Sequence, residues 1–194
     1  MEISRDQTIL LKAFPQSLST DVETVLELVP PAQHAPHLDI GTIFVAGESL
    51  HIPFRIYSPE PTADKLATLV GKQPAILACL YTRHHDGYVR HRHLRDLLAL
   101  NEAWVPPFVL QLVGEYVVQI IKDIESNSAA LDSKHYSRFI ADNPDFVART
   151  KQRIISYWRY NMDTIPLFED YPGFKIADKL KLWKKNDARK LRRM

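Results

Sequence analysis

The sequence has little of several residue types on which familiar activities depend. Among its 194 residues there is one cysteine, Cys79, which can form neither an internal disulfide bond nor a thiolate metal site. No apolar run reaches the roughly 18 residues that a membrane-spanning helix requires, and the first residues lack the basic, apolar and small-residue order of a secretion signal. These absences predict a soluble, cytoplasmic protein in a reducing compartment.

Glycine is also scarce, with six residues in the chain. The sequence contains no Gly-x-Ser-x-Gly elbow for a nucleophilic serine, no phosphate-binding glycine-rich loop and no dinucleotide fingerprint. Cys79 lies in an apolar helical pattern beside Leu77 and Leu80, where a cysteine usually serves as a small packing residue. We therefore expect no cofactor, and we favour a binding protein over an enzyme.

The sequence does contain enough apolar surface to fold, together with an uneven distribution of charge. Hydrophobic residues make up 45% of the chain and charged residues 25%, which excludes a largely disordered protein. Residues 1–71 carry 4 basic and 9 acidic side chains (net −5), residues 72–172 carry 12 of each, and residues 173–194 carry 9 basic and 2 acidic ones (net +7). Such a basic segment is attracted to phosphates, to acidic proteins or to the chain's own acidic N-terminal region.

The clearest β signal is the alternation of apolar and polar residues from Ile40 to Tyr57. Gly47-Glu48 fits a two-residue turn with glycine in the first position, which would pair Val45 with Leu50. Pro53 cannot donate a hydrogen bond to a neighbouring strand, so the strand that contains it is expected at an edge. This segment therefore predicts a β-hairpin.

The rest of the chain has helical periodicity. The predicted helices are Thr20–Val29, 62–70, 74–83, 88–100, Pro106–Ile124, 134–140, 144–162 and 176–193. The helix from Pro106 to Ile124 is apolar nearly all round, apart from a polar stripe that includes Glu115, and is expected at the centre of the fold. We predict a mainly helical α+β protein, with an N-terminal helix and hairpin (1–61) packed on an orthogonal helical bundle (62–172), followed by a basic C-terminal helix (173–194).

One short segment resembles a known structural unit. Asp86-Gly87-Tyr88-Val89-Arg90 joins two predicted helices and resembles the Asp-x-x-Val-Arg turn of HEAT-like helical hairpins. The resemblance covers about 25 residues and no second copy follows at a fixed period, so no solenoid is predicted. It implies a packing style in which Arg90 forms a structural salt bridge, to Asp86 or to Glu115, rather than a contact with DNA.

The same region is rich in histidine, with four of the chain's eight histidines between His84 and His93. His84-His85-Asp86 resembles the metal motif of HD-type phosphohydrolases, which implies metal-dependent hydrolysis, although no upstream helical histidine or downstream aspartate completes that pattern. His91 and His93 stand about 200° apart around a helix, so they cannot bind one ion together. We expect no metal, and keep His84, His85 and Asp86 as the ligands of an alternative hydrolase hypothesis.

Residues 75–100 also fit a helix-turn-helix, which gives a second alternative. In this interpretation Arg92 and Arg95 project from the second helix, where arginine reaches phosphates and guanine edges, while leucines pack inward. No strand pair follows to form a wing. The alternative function is therefore a DNA- or RNA-binding regulator.

The basic C-terminal segment gives the leading hypothesis. Its apolar residues approximate one helical stripe and its basic residues cover the remaining surface, and the preceding helix adds arginines among aromatic residues. We expect a non-enzymatic interaction or accessory protein whose partner is an acidic protein or a nucleic acid. The predicted partner-binding residues are Arg92, Arg95, Arg149, Arg153, Lys181, Lys184, Lys185, Arg189, Lys190, Arg192 and Arg193.

Overall fold

The computed structural model describes residues 5–38, 41–131 and 133–183. The chain forms two compact units, Met1–Leu97 (unit 1) and Leu98–Met194 (unit 2). This division differs from the three segments predicted above, because the first three helices of the predicted bundle belong to the same unit as the hairpin. The described elements are mostly helices with one two-stranded antiparallel sheet, so the predicted mainly helical α+β class is confirmed.

Among its described residues, unit 1 contains five α-helices and the hairpin. They are α1 (Arg5–Leu11), α2 (Ser19–Leu28), β1 (Ile43–Val45), β2 (Glu48–Leu50), α3 (Ala63–Leu66), α4 (Gln73–Tyr81) and α5 (Gly87–Leu97). Helix α2 packs against α1 and α4, and α4 packs against α5. Val22 and Val25 of α2 are fully buried, and so are Ile76 of α4 and Leu94 of α5, so one apolar core joins these helices.

The hairpin forms where it was predicted, but its turn lies one residue earlier. Ile43 pairs with Leu50 and Val45 with Glu48, so the two turn residues are Ala46 and Gly47. Both have positive φ, +53° and +91°, which is the requirement of a type I′ turn and matches the twist of the strands. The predicted glycine-first turn was therefore wrong, because Ala46 tolerates the left-handed conformation here.

Unit 2 contains the remaining helices. They are α6 (Pro106–Val113), α7 (Val118–Ser126), α8 (Lys134–Asp142), α9 (Pro144–Tyr160) and α10 (Pro172–Lys179). Helix α6 is buried along its whole length and contacts all four of the others, so its central position within the unit agrees with the sequence. The single predicted helix over 106–124 is instead two helices, α6 and α7.

The break between α6 and α7 lies where the chain passes close to α9. Gly114 caps α6 with φ of −96° and ψ of 39°, outside the helical region. A Cβ atom at this position would lie 3.0 Å from Cβ of Arg153 on α9. Any residue other than glycine would therefore require Arg153 to shift by a few tenths of an ångström. Glu115 follows in the break and is 3% exposed, so this member of the polar stripe is buried.

The C-terminal helix also differs from its predicted bounds. Helix α10 begins at Pro172 and ends at Lys179, and Lys181 adopts a left-handed φ of +55°. The amide N–H of Leu182 donates to the carbonyl of Ala177 (2.9 Å), a bond that closes the end of the helix. The part of the predicted helix beyond Trp183 lies outside the described residues. Within the described part of the chain, no helix is both long and apolar enough to cross a membrane.

Candidate functional site

The histidine-rich turn of unit 1 is organised around a buried arginine. Arg90 lies in α5 with no exposed surface, and its Nη1 donates to the carbonyls of His84 and His85, both at 2.8 Å. Charge-assisted bonds to two successive carbonyls hold the turn against α5. Arg90 is therefore a buried residue that holds the turn through these two backbone carbonyls, while the salt bridge to Asp86 or Glu115 stays a prediction.

Rings from distant parts of unit 1 stack beside this turn. Tyr57 stacks on His85 with ring centroids 5.4 Å apart, and His85 is 4.2 Å from His84. Tyr81 then stacks on His84 at 5.9 Å and on His93 at 5.1 Å. We call these five residues the ring series. Its two tyrosines contribute large apolar surfaces, so the stacking stabilises the fold of unit 1.

Burial shifts the pKa values of two members of the ring series, His84 and Tyr81. His84 is 5% exposed, and burial, followed by the positive charge of its neighbour His85, lowers the pKa of His84. Its Nδ1 accepts a hydrogen bond from the amide of Asp86 (3.1 Å), while its buried Nε2 has no hydrogen-bond partner. Burial also raises the pKa of the Tyr81 hydroxyl, which donates to the carbonyl of Pro59 (2.6 Å).

Glu60 completes the cluster at its outer end. Its carboxylate is hydrogen-bonded to Nε2 of His93 (2.7 Å) and to the guanidinium of Arg92. Burial alone would raise the pKa of Glu60, but the bonds to His93 and Arg92 together outweigh burial and lower it. Glu60 lies outside the helices and strands, and no motif in the sequence indicates its role.

The geometry does not support the hydrolase hypothesis. Among the described residues, no group of three or more His, Cys, Asp and Glu side chains is placed to hold a metal ion, and this includes His84, His85 and Asp86. Asp86 Oδ1 instead accepts a bond from the amide of Tyr88 (2.8 Å) at the start of α5. Cys79 has no exposed surface, and burial raises the pKa of its thiol.

The helix-turn-helix hypothesis stays a prediction. Helices α4 and α5 pack together as that motif requires, and Arg92 and Arg95 are both exposed on α5. However, the guanidinium of Arg92 is already bonded to Glu60, so a DNA contact from Arg92 would compete with this ion pair. Only Arg95 of the two predicted arginines lies outside that cluster.

Helix α9 of unit 2 carries a second concentration of cations and rings. Its buried face consists of Phe146, Thr150, Ile154 and Trp158, one residue per helical turn. At 100° per residue, a second row of side chains lies beside the buried row and spans about 80° around the helix. It consists of Arg149, Arg153, Tyr157 and Tyr160. With Tyr116, whose ring centroid is 6.2 Å from that of Tyr157, we call these residues the basic-aromatic face.

Three of the five side chains of the basic-aromatic face are exposed to solvent. Tyr160 is 82% exposed and Tyr116 is 47% exposed, Arg149 is exposed, and Arg153 is half-buried beside Gly114. From Phe146 to Met162 the sequence contains four basic residues and no acidic one, so the surface around this face is positive. Trp158 of the same helix is buried and donates to the carbonyl of Ile165 (3.1 Å), so it is not part of this face.

The start of the basic C-terminal segment is anchored next to α9. Trp183 is 8% exposed and stacks on Phe174 with centroids 5.9 Å apart. Lys151 of α9 lies over the Trp183 ring (5.6 Å), and its Nζ donates to the carbonyl of Leu182 (3.3 Å). Lys181 is exposed. The other predicted tail residues, Lys184, Lys185, Arg189, Lys190, Arg192 and Arg193, lie outside the described residues.

No protein-family model, curated protein or solved structure matches the chain. The class of protein must therefore be inferred from these side chains: a mainly helical protein with one internally bonded ring series and one exposed basic-aromatic face.

Proposed function

We propose that the protein is a non-enzymatic interaction protein that binds an anionic partner through the basic-aromatic face of unit 2. The observation that carries the proposal is the stripe of Arg149, Arg153, Tyr157 and Tyr160, exposed at Arg149 and Tyr160 and half-buried between them, on a helix that has no acidic residue from Phe146 to Met162. Arginine pairs with carboxylates and phosphates in a bidentate manner, and exposed tyrosine adds contact area.

The basic tail extends this surface in the sequence. Residues 173–194 have a net charge of +7, and the chain enters its last eleven residues from Trp183, which packs on α9 through Lys151. Positive charge in two neighbouring segments raises the rate at which an anionic partner is captured and makes the affinity depend on salt. The proposed partner is an acidic segment of another protein.

A second candidate partner is single-stranded nucleic acid, which the exposed rings favour. Tyr160 presents its ring to solvent about two helical turns from Arg153 and three from Arg149, and the exposed Tyr116, outside α9, lies beside Tyr157. Alternation of stacking rings with cations that contact the backbone is how proteins bind single strands without sequence preference, and each stacked base contributes about 1–3 kcal/mol. An acidic peptide requires the arginines but has no base to stack on the tyrosines.

Fluorescence anisotropy with two labelled probes tests the proposal and separates the partners. One probe is a mixed-sequence single-stranded oligonucleotide and the other is a peptide of alternating glutamate and serine, each titrated with the full chain at low and near-physiological salt. The double variant Arg149→Glu, Arg153→Glu should lower the affinity for the bound probe by about 30-fold or more, and for the oligonucleotide should reduce the salt slope by about two.

The matched control is the double variant Lys65→Glu, Lys72→Glu, which changes the net charge equally but lies in unit 1 on the exposed surface. It should reduce the affinity no more than about threefold, through the long-range field alone. A chain that ends at Trp183 measures the separate contribution of the tail residues. If neither probe binds at physiological salt, or if the two double variants behave alike, the proposal is wrong.

A further inference from the structure

A groove in unit 1, unrelated to the basic-aromatic face, has the features of a small-molecule site. It has a volume of about 380 Å³ and lies between α1 and the C-terminal end of α2. The lining residues used below are Asp6, Gln7, Leu26, Pro30, Pro31 and Tyr57. Pockets that hold small organic ligands start at roughly 300 Å³, so the groove accommodates a molecule with one ring and a short chain.

The walls of the groove are apolar and conformationally restricted. Pro30 and Pro31 have fixed φ angles, which limits the rearrangement of this wall. Tyr57 forms the opposite side, and its ring is held between an edge contact to His34 (centroids 5.6 Å apart) and the stack on His85 (5.4 Å). A preformed apolar groove binds a hydrophobic group without first ordering its own side chains.

The polar character of the groove is negative. Among the described residues that line it, Asp6 is the one with a charge at neutral pH. Helix α2 ends at Leu28, and a helix C-terminus carries partial negative charge because its last carbonyls lack intrahelical donors. Pro30 and Pro31 have no N–H to offer these carbonyls, and Gln7 Nε2 compensates at one of them by donating to the carbonyl of Leu26 (3.1 Å).

From this combination we infer that the groove binds a small hydrophobic organic cation, with its ammonium group between Asp6 and the C-terminal end of α2 and its hydrocarbon part against Pro30, Pro31 and Tyr57. The charge complements the carboxylate and the helix end, and an anion of the same shape is repelled by both. The volume limits the ligand to a small molecule and excludes a folded partner. This inference does not depend on the function proposed for α9.

NMR titration of the full chain with three probes of matched shape provides the test. The probes are 2-phenylethylammonium, the neutral 2-phenylethanol and the anionic 3-phenylpropionate, and the signals are the amides of Val29, Ala32 and Tyr57. We expect saturable shifts of these amides with the ammonium probe, at least fivefold weaker binding of the alcohol, and no measurable binding of the carboxylate.

Two variants and one control separate charge from shape. Asp6→Asn should remove the preference for the ammonium probe over the alcohol while both still bind, because the change removes the carboxylate charge and little volume. Ala32→Phe, at a half-exposed position on the groove wall, should block both probes. Glu23→Gln, an equal change of charge on the exposed side of α2, should leave the preference unchanged.

Each contrary result would overturn the inference. Absence of shifts at the three amides would mean that the groove is not a binding site, and persistence of the shifts in Ala32→Phe would place the probe elsewhere. Equal affinities for the ammonium and the alcohol in the unaltered chain would remove the electrostatic part. Tighter binding of a capped Leu-Lys-Leu peptide than of 2-phenylethylammonium would replace the small molecule with a peptide.

Discussion

In the segment from His84 to His93 of unit 1, Arg90 is buried against two backbone carbonyls and the rings of His84, His85 and His93 join one stack, whereas in α9 of unit 2 Arg149 and Tyr160 face solvent. Arg90 has no exposed surface, while Tyr160 is 82% exposed. Both segments combine basic residues with aromatic or imidazole rings, so composition does not separate them. The comparison shows that a concentration of such residues predicts a binding surface only when the fold leaves them outside the core.

The largest effect that the comparison predicts is on stability in unit 1. Arg90→Leu should lower the free energy of unfolding by about 3 kcal/mol, because it leaves the carbonyls of His84 and His85 without their charged donor in a buried site. Urea denaturation measures this change. Arg95→Leu, at an exposed position of the same helix, should change it by less than about 0.5 kcal/mol, and equal values for the two variants would contradict the structural role.

A smaller effect, on binding rather than on stability, is predicted for unit 2. Tyr160→Ala should weaken oligonucleotide binding about tenfold through the loss of one stacked base, with almost no change in the unfolding free energy. Tyr88→Ala is the matched control, since Tyr88 is 83% exposed in unit 1 but lies outside the basic-aromatic face. Anisotropy titration compares them. If oligonucleotide binding is unchanged while binding of the acidic peptide persists, the protein partner is favoured instead.

The smallest effect concerns Glu60 and depends on pH. At pH 7 Glu60→Gln should lower the unfolding free energy by about 1 kcal/mol, because the ion pair with the exposed Arg92 is partly screened by solvent. Since the pKa of Glu60 is lowered in the folded protein, its contribution is complete above the ordinary value of 4.5 and is lost as the pH falls through the lowered value.

Urea denaturation of both chains between pH 7 and pH 3 checks this dependence. The difference between the unaltered chain and Glu60→Gln should shrink below about pH 4.5, whereas Glu27→Gln, an exposed change on α2, should show no comparable difference at any pH. A difference that stays constant down to pH 3 would mean that the carboxylate charge of Glu60 contributes nothing.

Much of the fold could be predicted because its signals are local. Helical periodicity with proline in the first turn located the starts of α4, α6 and α9 to within one residue. The break after Gly114 could not be predicted, because it depends on the close approach of α9, which is distant in sequence. The hairpin turn was displaced because Ala46 adopts a conformation that a propensity argument assigns to glycine.

The basic-aromatic face and the ring series also differ in how far the sequence predicts them. Apart from Tyr116, the basic-aromatic face lies on one helix, so its spacing is visible in the sequence. The ring series brings Tyr57 and Tyr81 to His93, and Glu60 joins it from a connector, so no single stretch of sequence indicates it. In the sequence, the Pro30-Pro31 pair is the one local sign of the groove of unit 1, and by itself such a pair indicates only the end of a helix.

The left-handed residue Lys181 has a consequence for how the tail contributes to binding. By closing α10 it returns Leu182 and Trp183 to α9, where Lys151 contacts both. Lys184 follows Trp183 directly in the chain, so the last basic residues are tethered to α9 at Lys151, about 160° around the helix from Arg153. If α9 binds the proposed partner, that partner meets the tail as an intramolecular second site, at an effective concentration set by eleven residues of chain rather than by the concentration of protein in solution.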